Sequence, residues 1–410
     1  MKMAEFRNTL QDYNTIQAIA NTYLTTAGDA VSSKFHEKLR RYRDIKLKIL
    51  TTDMKSELFC EGSSVYTGSS GLAFYYLMSA MRKKPDTCHE TAKKALEYIN
   101  INKLKGQRIS FLCGDAGPLT LMIIISYILK GYSNDIKMKP EELVQRLLGL
   151  NKLLKDSPDE LLYGKVGYLY SLMLIKNYIS EDNVIPELTI QEVINSILTS
   201  GKKLSAEMKA ESPLMWQWHD KIYLGAAHGI AGILYMLLQA RAYIDSHDMD
   251  QLIRPTIDWL TTQCFEGGNF PSSLGSKSGD RLVQWCHGAP GFVPLYISAY
   301  QVFEDKKYLD VAIKCGEVIW KRGLCRKGYS ICHGVSGNAY AFLQLYQVTK
   351  EPQHLHRACA FMEWCMDERP GTEQHEPDRP ASLFEGLLGR IYLAEDIMDP
   401  LNSKFPAFCL

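Results

Sequence analysis

YTGSSGLAFYYL (66–77), FLCGDAGPLTLM (111–122), LLYGKVGYLYSL (161–172), AAHGIAGILYML (226–237), WCHGAPGFVPLY (285–296), ICHGVSGNAYAF (331–342) and LFEGLLGRIYLA (383–394) carry one pattern, a G-x-x-G followed by an apolar run. The first glycines, Gly68, Gly114, Gly164, Gly229, Gly288, Gly334 and Gly386, are separated by 46, 50, 65, 59, 46 and 52 residues. Each interval has room for two helices and their connections, and a recurrence of this size marks a repeat architecture. One G-x-x-G means little. Seven in phase are hard to reach by chance.

The runs after the glycines, such as LAFYYLMSAM (72–81) and IAGILYMLLQA (230–240), are apolar nearly all round and belong in a buried inner layer. Upstream of four motifs lie HETAKKALEYIN (89–100), EELVQRLLGLNKLL (141–154), YLDVAIKCGEVIWKR (308–322) and HLHRACAFMEWCMDE (354–368). Their apolar residues fall at i, i+3, i+4 and i+7, the spacing of amphipathic outer helices. No stretch alternates with period two for long enough to build a sheet. The predicted fold is all-α, a seven-fold double-layered α/α toroid forming one domain over 1–410. Residues 1–60 serve as an outer-helix lead-in, and the seven repeats run from 61 to 400. GNFPSSLGSKSGDRLVQ (268–284) and DERPGTEQHEPDRPAS (367–382) are rich in Pro, Gly, Ser and Asp and read as long functional loops.

Length alone, at 410 residues, suggests two or three domains; the repeats turn it into one ring of about fifty residues per unit. Apolar residues make up 46% and charged residues 23%, which excludes a disordered chain. Lys+Arg number 47 against 46 Asp+Glu, and a net charge of +1 removes the electrostatic case for nucleic acid or a polybasic membrane anchor. Peripheral membrane contact through a local patch stays compatible with that balance. The opening MKMAEFRNTLQDYN has no apolar core of a signal peptide, and the longest apolar run, 119–129, is too short to span a bilayer. A cytoplasmic, reducing setting is therefore expected, where eleven cysteines point to metal or redox chemistry before disulfides.

One residue before the first glycines stand Thr67, Cys113, Tyr163, His228, His287, His333 and Glu385. If each glycine pair opens an inner helix, these side chains converge at one mouth together with helix N-termini suited to an anion. One position further back, Cys286 and Cys332 occupy equivalent places on adjacent repeats. Two thiolates with one or two imidazoles suit tetrahedral Zn²⁺, and three ligands would leave a position open for a substrate. Symmetry alone leaves His287 and His333 as alternatives for the third ligand. A buried lone Cys is usually a small hydrophobe, the preferred reading of Cys60, Cys264, Cys315, Cys359 and Cys365. Close helix packing is an equally good account of the glycines in repeats one to three.

WCHGAPG, ICHGVSGNAYAFL, YLGAAHGIAGILY and SLFEGLLG resemble the signature elements of the LanC family. FLCGDAGPL, ELLYGKVGYLY, ESPLMW (211–216), KFPAF (404–408) and DYN (12–14) resemble its eukaryotic LanC-like branch, so the resemblance runs along essentially the whole chain. It implies an α/α toroid, one Zn²⁺ per chain held by Cys286, Cys332 and His333, and His228 as general acid or base. Glu160 is the nearest acid to the place where bacterial members carry an Asp. The branch also implies glutathione as partner, contacted by Lys327 and by the loop at His375, Glu376, Pro377 and Asp378. Lys327 counts among the catalytic residues as well. The implied reaction adds the glutathione thiol to dehydroalanine or dehydrobutyrine in proteins or peptides, forming a thioether. The alternatives are a non-catalytic zinc- and glutathione-binding adaptor, and a toroidal glycoside hydrolase using Glu385 with Asp115 or Asp378.

Overall fold

The computed structural model describes residues 4–13, 22–60, 62–132, 136, 138–181, 183–367 and 377–410. Among the described residues no strand forms, and extended pairing is limited to isolated bridges such as Trp218 with Lys221. In chain order the helices are α1 (Ser33–Thr52), α2 (Lys55–Cys60), α3 (Ser70–Met81), α4 (Pro85–Leu96), α5 (Ala116–Ile128) and α6 (Pro140–Leu148). Then come α7 (Lys165–Tyr178), α8 (Glu187–Met208), α9 (Ile230–Gln239), α10 (Ser246–Asp248) and α11 (Arg254–Thr262). The last are α12 (Ala289–Phe303), α13 (Lys306–Arg322), α14 (Val335–Thr349), α15 (Pro352–Met366) and α16 (Leu387–Met398).

Each G-x-x-G motif opens one of α3, α5, α7, α9, α12, α14 and α16. These helices are buried on every side over most of their length, as in α5 from Ala116 to Ser126 and α12 from Ala289 to Ala299. The helices between them, α15 excepted, bury one face; α13 hides Tyr308, Ala312, Cys315, Val318 and Ile319 and turns its lysines outward. EELVQRLLGLNKLL divides where Gly149 follows Leu148: the α-helix stops and a 3₁₀ segment carries on over Gly149–Asp156.

Backbone contacts gather into two bodies. The first comprises Met1–Lys55, Tyr223–Leu238 and Ile257–Cys409, and the second Ser56–Ile222, Gln239–Thr256 and Leu410. Within the second, α3, α5 and α7 lie side by side; within the first, α12, α14 and α16 do. An outer helix packs chiefly on the inner helix that precedes it, α4 on α3, α13 on α12 and α15 on α14. Short connections fold each pair back antiparallel. No helix follows α16, and α1 packs against it instead.

Both glycines of the motif are required by the loop that folds over the helix start. A Cβ at the second glycine would lie 1.9 Å from the Ala226 carbonyl oxygen at Gly232 and 2.0 Å from that of Ile331 at Gly337. At the first glycine it would lie 2.2 Å from the Pro158 oxygen at Gly164 and 2.2 Å from the Pro380 oxygen at Gly386. Local loop closure therefore accounts for these glycines more directly than helix–helix approach. Gly288 adds a second constraint, with φ of 106°.

α15 departs from the amphipathic pattern. His354, His356 and Arg357, on its polar side by sequence, are all buried. The segment 4–13 covers them: Arg357 donates to Asp12 and Glu317, and His356 Nε2 lies 3.0 Å from the Gln11 carbonyl. His354 has neither ring nitrogen hydrogen-bonded among the described residues. Burial, with the Arg357 charge beside it, lowers its pKa to about 4. An unfolded chain protonates this ring near pH 6.5, so its stability contribution is complete above that pH. It is lost as pH falls from about 6.5 towards 4, by up to about 3 kcal/mol. Urea unfolding at neutral pH and near pH 4.5 should show that loss, and His354→Leu should reduce it; an equal acid loss in both chains would refute the assignment.

Candidate active site

Four residues before the first glycine, four of the loops carry a side chain that ties the turn together. Ser64 Oγ accepts from the backbone N–H of Thr67 and Gly68, Ser330 Oγ from His333 and Ser382 Oγ from Glu385. The loops are then tied to one another: Cys286 N–H donates to the Cys332 carbonyl at 3.1 Å, and Cys332 N–H to the Phe384 carbonyl at 3.0 Å. Equivalent positions on adjacent repeats thus become neighbours, and the Cys286 and Cys332 thiols meet in a hydrogen bond. Beneath them Trp285 stacks on Phe405 at 4.8 Å and meets Phe408 edge-on at 5.3 Å, so the C-terminal KFPAF segment supports the loop that carries Cys286.

The two thiols are buried, at 7% and 4% exposure. Burial pushes the thiols of Cys315, Cys325, Cys359 and Cys365 up, as it does for isolated apolar cysteines. Cys286 is held below the ordinary thiol value instead. The Cys332 hydrogen bond is the main cause, outweighing burial with help from the Lys327 charge and Gln284, whose amide donates to Cys286 Sγ at 3.1 Å. His287 has its pKa lowered to about 4 by burial, then by the charges of His228 and Lys327, and its Nδ1 has no partner among the described residues. Tyr223 faces both imidazoles, with ring centroids 5.9 Å from His228 and 5.7 Å from His287. Lys327 also lines a cavity of about 170 Å³, together with Tyr329, Pro377, Glu385 and Arg390.

The family model for lanthionine synthetase C-like proteins matches residues 60–410. The chain belongs to that family. Glutathione S-transferase LANCL1 of Danio rerio is 40% identical over 353 residues, covering 84% of this chain and 84% of the relative. LanC-like protein GCL1 of Arabidopsis thaliana is 34% identical over 364 residues, covering 84% of this chain and 81% of the relative. Nisin cyclase superposes with a TM-score of 0.66 at 17% identity, over 90% of this chain and 96% of that one. That likeness gives the fold, the all-α, seven-fold double-layered α/α toroid expected from the repeats. No described helix is long and apolar enough to cross a membrane.

Among the site residues expected of a lanthionine synthetase C-like protein, the geometry brings Cys286 to Cys332, and the charges of Lys327 and His228 to His287. His333 follows Cys332 at the head of α14, half-buried, with its backbone N–H on Ser330. Among the described residues no trio of His, Cys, Asp and Glu is arranged as a ready metal cage. The donor chemistry nevertheless fits a soft divalent ion: two thiols in contact, one of them favouring thiolate, with the His333 imidazole next in the chain to Cys332. Pro377 shares the cavity with Lys327, and Asp378 is exposed next to it. His375 and Glu376 lie outside the described residues.

Glu160 sits in the second body, 2% exposed, with its carboxylate accepting from Leu162 N–H at 3.0 Å and Tyr163 N–H at 2.6 Å. It occupies the same position as the serines that tie the other loops, so it closes the third repeat's turn. Cys264, expected in the interior, is only half-buried, and the Cys60 side chain is outside the described ones. Sequence reasoning missed Tyr223 and the loop-closing position. The second was open to view, since Ser64, Ser330 and Ser382 stand in phase with the motifs.

Proposed function

We propose that this chain is a zinc-dependent glutathione S-transferase that joins the glutathione thiol to dehydroalanine or dehydrobutyrine in proteins or peptides. The observation that carries the reading is the Cys286–Cys332 pair, whose mutual hydrogen bond overcomes burial and favours a thiolate in a dry site. The relative named a glutathione S-transferase supports the choice of thiol. Cys286, Cys332 and His333 would hold the Zn²⁺, which supplies Lewis-acid stabilisation of a substrate thiolate.

Lys327 places a cation beside the thiol pair at the edge of the 170 Å³ cavity, suited to a glutathione carboxylate. Arg390, its guanidinium 5.0 Å from the Tyr329 ring, adds a second cation to the same wall. Pro377 gives that wall an apolar face. Glutathione loses its thiol proton; its sulfur forms a bond to the β-carbon as the alkene π electrons move onto the α-carbon and carbonyl. His228 returns a proton to the α-carbon, so the reaction is proton-neutral overall, and a positioned acid of this kind contributes about 10²–10⁴ in rate. The Tyr223 ring faces both His228 and the neutral His287.

The test is incubation of the zinc-loaded chain with glutathione and a dehydroalanine peptide, read by mass. A catalysed adduct of one glutathione per dehydroalanine is the expected product. Glutathione binding with no acceleration over the uncatalysed addition would instead establish an adaptor.

A further inference from the structure

A second cavity, of about 300 Å³, opens in the second body at the head of α5. Lys103, Lys105 and Arg108 line it, with Cys113, Ser64 and Asp115. Among the described residues none of the three cations is in an ion pair, whereas Lys130 and Lys165 in the same body are paired with Glu181 and Asp159. The one carboxylate in the wall, Asp115, has its Oδ2 occupied by the Gln107 backbone N–H at 3.1 Å. The Cys113 thiol hydrogen-bonds the Tyr163 hydroxyl, the Arg108 charge is felt at that same tyrosine, and Arg108 and Cys113 line the same cavity. Tyr163 in turn stacks on Trp218 at 5.8 Å.

Three cations that face one concavity without carboxylate partners repel one another, and a bound oxyanion relieves that repulsion. The volume is at the small end of ligand pockets, about 300–1,000 Å³. Arg108 offers the planar fork that matches phosphate or carboxylate oxygens, and the two lysines add mobile point charges. A phosphate monoester, with about −1.5 to −2 charges and three acceptor oxygens, matches that donor set better than a single carboxylate does. We infer that the cavity lined by Lys103, Lys105, Arg108 and Cys113 is a binding site for a phosphate-type oxyanion. The site is independent of the transferase reading, because its residues lie apart in the chain from the thiol pair and need no metal.

The test uses the Cys113 thiol as reporter in the full chain. Alkylation of Cys113 by iodoacetamide, followed by peptide mass mapping at low ionic strength, is measured against rising inorganic phosphate and a phosphoserine peptide. Chloride at matched ionic strength and the unphosphorylated peptide are the controls. Saturable protection is expected from phosphate, and the half-protecting concentration should rise about ten-fold or more in a K103A/K105A/R108Q chain. All three side chains are exposed, so that chain should fold normally, and K103R/K105R/R108K should keep the protection. Protection by the phosphopeptide at lower concentration than by phosphate would identify a phosphorylated polypeptide as the source, and equal potency the free ion. Failure to saturate, protection by chloride, or unchanged protection in the charge-free chain would overturn the assignment.

Discussion

A Cys332→Ala chain is expected to fold as the parent does and to form the glutathione adduct at least about a thousand-fold more slowly. Cys332 is 4% exposed, and removing one sulfur from its site costs about 1 kcal/mol in packing. Its backbone links, N–H to Phe384 and carbonyl to Cys286, do not involve the side chain and persist. The chemistry fares differently. The Cys332 thiol is the main reason Cys286 favours thiolate; without it, burial dominates and Cys286 returns towards the raised values of Cys325 and Cys365. Bound zinc, measured by atomic absorption, should fall well below that of the parent. Adduct formation at the parental rate by a well-folded Cys332→Ala chain would end the thiolate mechanism.

Arg357→Ala should be the most damaging single change to stability outside the inner helices, costing about 3–5 kcal/mol in urea unfolding. The guanidinium is 2% exposed and donates at 2.6 Å to both Asp12 and Glu317, joining the segment 4–13 to α15 and α13. Asp12 is partly buried, which by itself raises its pKa, but hydrogen bonding and the charge of Arg357 hold it below the ordinary carboxylate value. Truncation leaves that carboxylate half-desolvated beside a cavity and releases the cover over His354 and His356. Glu317 is more exposed and rehydrates, which argues for the lower half of the range. Arg357→Ala combined with Asp12→Asn should cost less than the two single changes summed. A loss below about 1 kcal/mol for Arg357→Ala would show that the network carries no net stability.

The glycine phase explains why so much was legible before any coordinates. An inner helix must be apolar on every side and must begin where a loop folds tightly over it; both demands are local, and both are written at fixed spacing around Gly114, Gly232 and Gly337. The thiol pair followed from the same phase, because identical positions in adjacent repeats become spatial neighbours once the loops hydrogen-bond. Glu160, expected from the resemblance as a catalytic acid, stands at the position of a loop-closing serine, and its carboxylate accepts from two backbone N–H groups close at hand.

By itself, then, the sequence determined the repeat number, the division into inner and outer helices, the all-helical class and the placing of Cys286 beside Cys332. Each of these rests on interactions within one repeat or between successive ones. The tertiary structure alone decided that segment 4–13 would bury Arg357, that α1 would serve α16, and that the Lys327 charge would assist the Cys332 hydrogen bond in holding down a thiol while Tyr223 faced two imidazoles. It also decided that Lys103, Lys105 and Arg108 would meet without carboxylate partners. These outcomes depend on which distant side chains desolvate or neutralise one another, and charge and burial of that kind have no period in the sequence to reveal them.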